Sequence, residues 1–451
     1  MENSMSEPII SLRQLSRMMA DRGVRRLYVK ELSPNDNSKN QVYLGGDFSV
    51  LNQLPAGDPT AATTGSHAAP IFKADLQMAW LREDGTEHPA PTAQLILYPQ
   101  YPEVRLSGIL RGATWAPSDI MRSRHEGRVL IVGVRDNGSV LAFAAEAHMP
   151  VAQEIRTMPR GDQPGVLREL PVHPGTDSVT SEARLLAELC RIAGEGWITG
   201  WGLNRDGTRR VCAASNCVGV TLESELGITA NGYAAPDFEG WEVKAYTVRN
   251  LARTAGGPIT LMTPEPTGGL YVDQGAEAFV RRYGYTDRKG RADRMNYGGV
   301  HKVGTPAAST GLILQLDGYD TERGRITNAN GALQLSAPDG QLAAEWSFAG
   351  MLSHWKRKHS RAVFVPALKR KEPDVAYRYS ANVMLATGTD YLKWLNALAN
   401  GTVYYDPGIK LEGAFSNAPT AKKRSQFRIK HAALYAMYDK LHTVNACNGI
   451  L

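Results

Sequence analysis

The stretch PDFEGWEVKA, residues 236–245, sets Asp237, Glu242 and Lys244 into a run otherwise built on Phe238, Trp241 and Val243. Side chains alternate faces along a β-strand, so Glu242 and Lys244 point one way and Val243 the other, toward a core. Asp237, on the preceding strand or turn, can converge on the same point. A carboxylate five residues before Glu-x-Lys is an arrangement found in phosphodiesterases. Two carboxylates suit Mg²⁺, a hard cation that prefers oxygen. Such an ion polarises a scissile phosphate and acidifies a water, while the lysine positions that water and offsets phosphate charge. A solvated strand with alternating charges would carry the same residue types. The flanking Pro236, Gly240, Trp241 and Val243 make a poor solvent-facing strand.

Just upstream lies VGVTLESELGI, residues 218–228. Thr221 is placed to cap a helix that begins there. Glu223 and Glu225 would then fall in its first turn, where the helix dipole favours acids. The functional alternative is that Glu223 turns toward Asp237 and completes a metal site. The intervening TANGY, residues 229–233, reads as a turn.

Away from this centre the chain is ordinary soluble globular material. Its 451 residues are 43% hydrophobic and 21% charged, with a formal net charge of +6. That length favours at least two domains, and a modest positive balance is compatible with a polyanion partner. Residues 7–22 show helical periodicity through Ile10, Leu12, Leu15 and Met18 or Met19, ended by Gly23. Alternating segments follow (RRLYVKEL, VYLGGDF, PIFKADLQMAWL, TAQLILYP, RVLIVGVRD, VLAFAAEA), so the first 150 residues read as mostly β. TAATTGSHAAP, residues 60–70, reads as a loop. A stretch with five prolines, residues 150–177, reads as a linker. TSEARLLAELCRIAGEG then opens a mixed α/β region with an amphipathic helix. The predicted domains are 1–155, a linker at 156–178, and 179–451.

Cys190, Cys212, Cys217 and Cys447 form no Cys-x-x-Cys pair, and read as structural free thiols of a reducing compartment; Cys212 and Cys217 flank a turn where a disulfide is the alternative, one that a reducing cytoplasm disfavours. The start of the chain carries early acids and no long apolar run. The expectation is therefore a cytoplasmic protein with no membrane partner.

VGVTLESELGI followed by NGYAAPDFEGWEVKA resembles the catalytic core of the MvaI/BcnI-type restriction endonucleases, a branch of the PD-(D/E)XK nucleases. GPITLMTPEP, SRAVFVPA (360–367) and SQFRIKHAALYAMYDKL agree in order, so the resemblance runs over roughly residues 180–445. It implies Asp237, Glu242 and Lys244 as the catalytic set, with Glu223 as the family's helical glutamate. Asp237, Glu242 and Glu223 would then hold Mg²⁺, with Mn²⁺ as a substitute. Ala245 departs from the threonine or serine common after the lysine.

The first domain, through LYVKELSPNDNSKNQVYLG, is similar to the effector domain of EcoRII-type enzymes, a β pseudobarrel that grips DNA with two arms. That likeness implies a first arm at Lys30–Gln41, with Lys30, Asn35, Asp36 and Lys39. It implies a second arm with Arg105, Arg111, Trp115, Arg122 and Arg124. In the second domain Arg428, Lys430 and His431 fall where such enzymes place their DNA-recognition elements, and Arg reads guanine well. The basic runs Lys356-Arg357-Lys358, Lys369-Arg370-Lys371 and Lys422-Lys423-Arg424 are candidate phosphate clamps, each also readable as a solvated cluster. His301 and Lys302 are weaker candidates.

The expected whole is an all-β pseudobarrel joined to an α/β PD-(D/E)XK domain with a mixed sheet. Its expected activity is Mg²⁺-dependent, site-specific type II cleavage of double-stranded DNA at a short pseudopalindrome of the CCWGG kind. The first domain would tether or activate. The resemblance implies a monomer, functionally linked to a cognate methyltransferase without necessarily binding it. Two alternatives are a catalytically silent DNA-binding regulator and a mismatch or strand-nicking repair endonuclease.

Overall fold

The computed structural model describes residues 10–34, 40–46, 48–64, 69–101, 103–158, 166–172, 180–214, 216–229, 237–252, 255–356 and 361–448. The chain divides into two compact units, Met1–Thr180 and Ser181–Leu451. Both are rich in sheet, with fewer helices. Among the described residues no helix is long and apolar enough to cross a membrane.

In the first unit α1 (Leu12–Ala20) starts at a capping box. Ser11 Oγ accepts from Gln14 N–H, and the Gln14 side chain accepts from Ser11 N–H. Its apolar stripe buries Leu12, Leu15 and Met19. β1 (Val24–Glu31) pairs antiparallel with β9 (Val129–Arg135), and β9 with β10 (Val140–Ala145). Their inward residues Leu27, Val29, Ile131, Leu141 and Phe143 meet α1 and α3 (Pro150–Thr157) in one core cluster. A second sheet runs in the order β2 (Gln41–Gly45), β8 (Glu103–Ser107), β7 (Gln94–Tyr98), β4 (Ala69–Asp75), β3 (Thr60–Thr64).

Two expectations about backbone are corrected here. Thr60–Thr64, read as loop, is a strand whose Thr60 pairs with Lys73 of β4; β-branched threonines suit an edge strand. Within the expected linker, Arg168–Leu170 forms β11 and pairs antiparallel with β1. Proline content marked that segment as open, but Leu170 has an apolar slot to fill in the same core cluster.

The roots of the two expected arms are braced by one side chain. Arg128, fully buried at the start of β9, donates from Nη2 to Ser33 O at 3.0 Å. It also donates from Nη1 to Ile120 O and from Nε to His125 O, each at 2.7 Å. A buried guanidinium is tolerable because its fork is used on carbonyls.

In the second unit α4 (Ser181–Gly194) lies against a mixed sheet. Its strands are β12 (Ile198–Thr199), β15 (Glu242–Thr247), β16 (Arg361–Arg370), β17 (Ala376–Tyr379), β18 (Asn382–Thr387) and β19 (Lys440–Asn445). β15 runs parallel to β16, with Glu242 opposite Ala362 and Lys244 opposite Phe364. The other pairings are antiparallel. The hairpin of β13 (Trp201–Leu203) and β14 (Arg209–Val211) packs beside α5 (Cys217–Glu225).

The four cysteines are paired, not free. Cys190 of α4 joins Cys447 just after β19, and Cys212 joins Cys217 at the start of α5. The free-thiol expectation rested on compartment. The fold instead brings their Cα atoms to 5.1 and 5.7 Å, within disulfide reach.

Candidate active site

Phe238 and Trp241 form a two-residue hairpin: Phe238 N–H donates to Trp241 O at 3.0 Å and Trp241 N–H to Phe238 O at 2.7 Å. Glu239 and Gly240 at its tip have φ of 43° and 89°, the signature of a type I′ turn. Gly240 accepts this freely, whereas Glu239 must be held there. Arg184 of α4 holds it, donating from Nε to both carboxylate oxygens at 2.8–2.9 Å and from Nη2 at 2.5 Å.

This turn folds Asp237 back onto the start of β15, where its Oδ2 accepts from Val243 N–H at 2.9 Å. Alternation along β15 is as the sequence predicts. Trp241 and Val243 enter the core beside Val363 and Val365. Glu242 and Lys244 share the other face, and Lys244 Nζ donates to Glu242 Oε1. Glu242 is 1% exposed and the Lys244 side chain 23%. Burial pushes the Lys244 ammonium down, but Glu242, Asp237 and Glu223 together outweigh it, and its pKa ends above 10.5. Lys244 is thus paired with Glu242 and feels the charge of Asp237 and Glu223 as well.

The helix carrying Glu223 differs from expectation. It begins at Cys217, not at Thr221. Thr221 is mid-helix and fully buried, and its hydroxyl bonds Trp201 N–H and C=O, both at 3.2 Å. Glu223 and Glu225 accordingly sit in the last turn, where the dipole disfavours acids. Glu225 is compensated by Trp201 Nε1–H at 2.5 Å. Glu223 acts electrostatically on Lys244.

Two oxygen-bearing groups, Asp237 and Glu242, fit a hard cation in chemistry. Among the described residues, no three His, Cys, Asp or Glu side chains gather closely enough to cage an ion by themselves. Solvent or substrate oxygens would have to complete the shell.

The segment 431–438 meets the same face of β15. His431 Nε2 lies 3.0 Å from the Tyr246 hydroxyl, with the rings 4.9 Å apart. Burial lowers the His431 pKa and raises that of Tyr246. Tyr438 packs on Phe364, opposite Lys244, at 6.0 Å. Lys430 and Arg424 are exposed.

Other sequence candidates are otherwise engaged. Arg428 donates from Nη1 to Asp406 at 2.7 Å and from Nη2 to Pro258 O at 2.9 Å, so its fork braces the strand Phe427–Ile429. His301 is fully buried between Tyr297 and Tyr405. In the first unit the Lys30 ammonium is turned back onto Glu31 O at 2.6 Å. Arg105 is bound to Glu103 and to Gln41, the latter at 3.0 Å. Trp115 packs on His88 and under Arg82. Arg111 and Arg122 are exposed and line a polar recess of about 410 Å³ with Asn40, Gln94 and Ser107. Arg124 is exposed as well. Asn35, Asp36, Lys39, Arg357 and Lys358 lie outside the described residues.

Sequence reasoning missed Arg184 and Arg128. Arg184 carried no signal, since its acceptor is 55 residues away. Arg128 could have been suspected from its place at the head of an apolar strand.

Among curated proteins no sequence matches. A solved complex of restriction endonuclease MvaI with cognate DNA is 18% identical with a TM-score of 0.42, over 58% of this chain and 98% of that one. MvaI without DNA is also 18% identical with a TM-score of 0.31, over 60% and 100%. The family model for the MvaI/BcnI restriction endonuclease family matches residues 186–438, more than half of the chain. The chain belongs to the MvaI/BcnI restriction endonuclease family.

Proposed function

We propose that the second unit is a PD-(D/E)XK nuclease domain that hydrolyses phosphodiester bonds of duplex DNA at a short, nearly palindromic site of the CCWGG kind. The observation that carries this reading is the meeting of Asp237, Glu242 and Lys244 at the start of β15, with Glu223 adding to the field on the lysine. Asp237 and Glu242 would hold Mg²⁺ or Mn²⁺, with Glu223 contributing charge at longer range. When bound there, the cation supplies Lewis acidity toward the phosphate and lowers the pKa of water.

The chain's own residues have separable parts. Lys244 serves as a donor that orients the attacking water and offsets phosphate charge. Val243 N–H fixes one oxygen of Asp237 and leaves the other for ligation. The turn clamped by Arg184 sets where Asp237 stands. Lys430 and His431 reach bases or phosphates, and Arg424 a phosphate. Arg428 keeps their strand in place.

The first unit would be a two-armed DNA-binding pseudobarrel of the EcoRII effector kind that tethers or activates the nuclease. Arg111, Arg122 and Arg124 are its contacts, with Asn35, Asp36 and Lys39 on the other arm. The two sheets and the arm-bracing Arg128 support that reading. The enzyme would act as a monomer beside a cognate methyltransferase.

Plasmid digestion with and without Mg²⁺, beside Asp237→Ala and with fragment ends sequenced, tests the proposal. Discrete metal-dependent fragments absent from the variant are expected. An unmodified plasmid left intact with either metal would overturn it in favour of a silent DNA-binding protein.

A further inference from the structure

One edge of the catalytic sheet carries a concentration of positive charge that the site above does not use. Residues 197–211 and 369–378 hold seven arginines and lysines against three acids, in a chain whose net charge is +6. The two segments are joined in space. Ile198 pairs with Tyr377 and Thr199 with Ala376, and Gly200 N–H donates to Val375 O at 2.7 Å.

Arg205, Arg209, Arg210, Lys369, Arg370 and Arg378 are all exposed. Among the described residues none of them is in an ion pair. Elsewhere in the same unit Arg184, Arg191, Arg294 and Arg428 are each bridged to an acid. Unneutralised like charges repel one another, and a polyanion relieves that repulsion.

These cations are also held in place. Arg209 lies 4.1 Å from the Trp201 ring centroid, Arg370 5.0 Å from Trp197 and Lys369 5.8 Å from Tyr377. Stacking on a ring fixes a cation while leaving its donors outward. The β13–β14 hairpin is anchored to α5 by Leu203 N–H to Ser224 Oγ at 2.9 Å, by the Trp201–Thr221 bonds and by the Cys212–Cys217 disulfide.

Position along the sheet says which part of a DNA would lie there. Glu242 is opposite Ala362 on β16, and Lys369 follows seven residues later. At about 3.3 Å per residue that is roughly 23 Å, the length of about seven base pairs of duplex. A recognition site of a few base pairs does not extend so far from its scissile phosphate.

We propose that this edge grips the phosphate backbone of the duplex flanking the cleaved site. The inference rests on the reading that the cut is made beside Glu242 and Lys244. The flanking contact carries no sequence information. It adds affinity in proportion to duplex length and positions the DNA axis across the carboxylates.

The test compares the full chain with its Arg209→Ala/Arg210→Ala/Lys369→Ala/Arg370→Ala variant. Binding is measured in EDTA to 10-bp and 40-bp duplexes centred on the cleaved site, over a range of salt; the shorter one ends before it reaches the edge. Both proteins carry the same first unit, so the difference isolates the edge. On the 40-bp duplex the variant should bind at least about 10-fold more weakly, and its log–log salt slope should be shallower by up to about 3.6. The 10-bp duplex should bind as before. The charge-keeping set Arg209→Lys/Arg210→Lys/Lys369→Arg/Arg370→Lys should keep the original slope. An unchanged slope on 40 bp, equal losses on both duplexes, or a loss in the charge-keeping set would each overturn the proposal. Cleavage by the unaltered protein and its loss in Asp237→Ala test the underlying catalytic reading separately.

Discussion

His301 was a candidate DNA reader in the sequence and is a core residue in the fold, and the two roles predict opposite experiments. Its ring is walled by Tyr297 and Tyr405, at 5.6 Å each. Nδ1 lies 2.9 Å from Gly299 O, which can only accept, so the proton sits on Nδ1. Nε2 then accepts from the Thr310 hydroxyl at 2.9 Å. Burial drives the pKa from the ordinary 6.5 down to about 4, against a smaller upward pull from the Gly299 and Tyr405 backbone.

The consequence for stability has a definite sign. The unfolded chain takes up the proton near pH 6.5, while the folded one resists until about pH 4. The unfolded state therefore binds more protons in that window, and stability falls as pH falls through it. At 1.36 kcal/mol per pH unit the full loss is about 3 kcal/mol. Above pH 6.5 and below pH 4 this residue adds no slope. Urea unfolding of the full chain at pH 7.5, 5.5 and 4.5 can be followed by hydrogen exchange in peptides spanning 297–310 and 403–409. The His301→Gln variant should be less stable at pH 7.5 but should lose the part of the acid sensitivity that His301 supplies. Parallel pH curves for the two proteins would refute the buried-imidazole reasoning. A changed cleavage pattern in His301→Gln at pH 7.5 would restore the reader role.

Two further outcomes follow from the site. Arg184→Ala or Glu239→Ala should raise the Mg²⁺ concentration for half-maximal cleavage by about 5-fold, the scale of one good surface pair, leaving metal-free DNA binding unchanged; the swapped pair Arg184→Glu/Glu239→Arg should recover part of it, and an unchanged metal requirement in both single variants would remove the clamp from the mechanism. Because Lys244 is paired with Glu242 at the same face, Lys244→Met should lose cleavage while retaining DNA binding; cleavage by that variant at the unaltered rate would remove the lysine from the mechanism.

The parts of the fold legible in the sequence are those where periodicity and burial coincide. Leu12, Leu15 and Met19 announced α1, and the apolar runs around Ile131 and Leu141 announced β9 and β10. The parts that were not legible depend on distant partners. Thr60–Thr64 is a strand because β4 offers it an edge, and Arg168–Leu170 because β1 does. Nothing local distinguishes those threonines or prolines from a loop. The same holds for the Cys190–Cys447 disulfide, whose partners are 257 residues apart in sequence. Alternation did give the two faces of β15, because a period of two survives whatever the strand packs against.

Glu223 shows how structure changes the weight of a sequence argument. If the helix began at Thr221, an acid two residues in would need no function, since the dipole alone would favour it. With the helix beginning at Cys217, the same residue falls in the last turn, where the dipole works against it. Glu225, equally misplaced, is held by the Trp201 indole. Glu223 instead adds to the field of Glu242 and Asp237 on Lys244. A buried carboxylate such as Glu242 costs stability unless a cation offsets it, and Lys244 supplies one. In the proposed reaction a divalent ion held by Glu242 and Asp237 would add to that offset where a phosphate has to be drawn in. Glu223→Gln should therefore raise the Mg²⁺ concentration for half-maximal cleavage, and an unchanged requirement would take Glu223 out of the site.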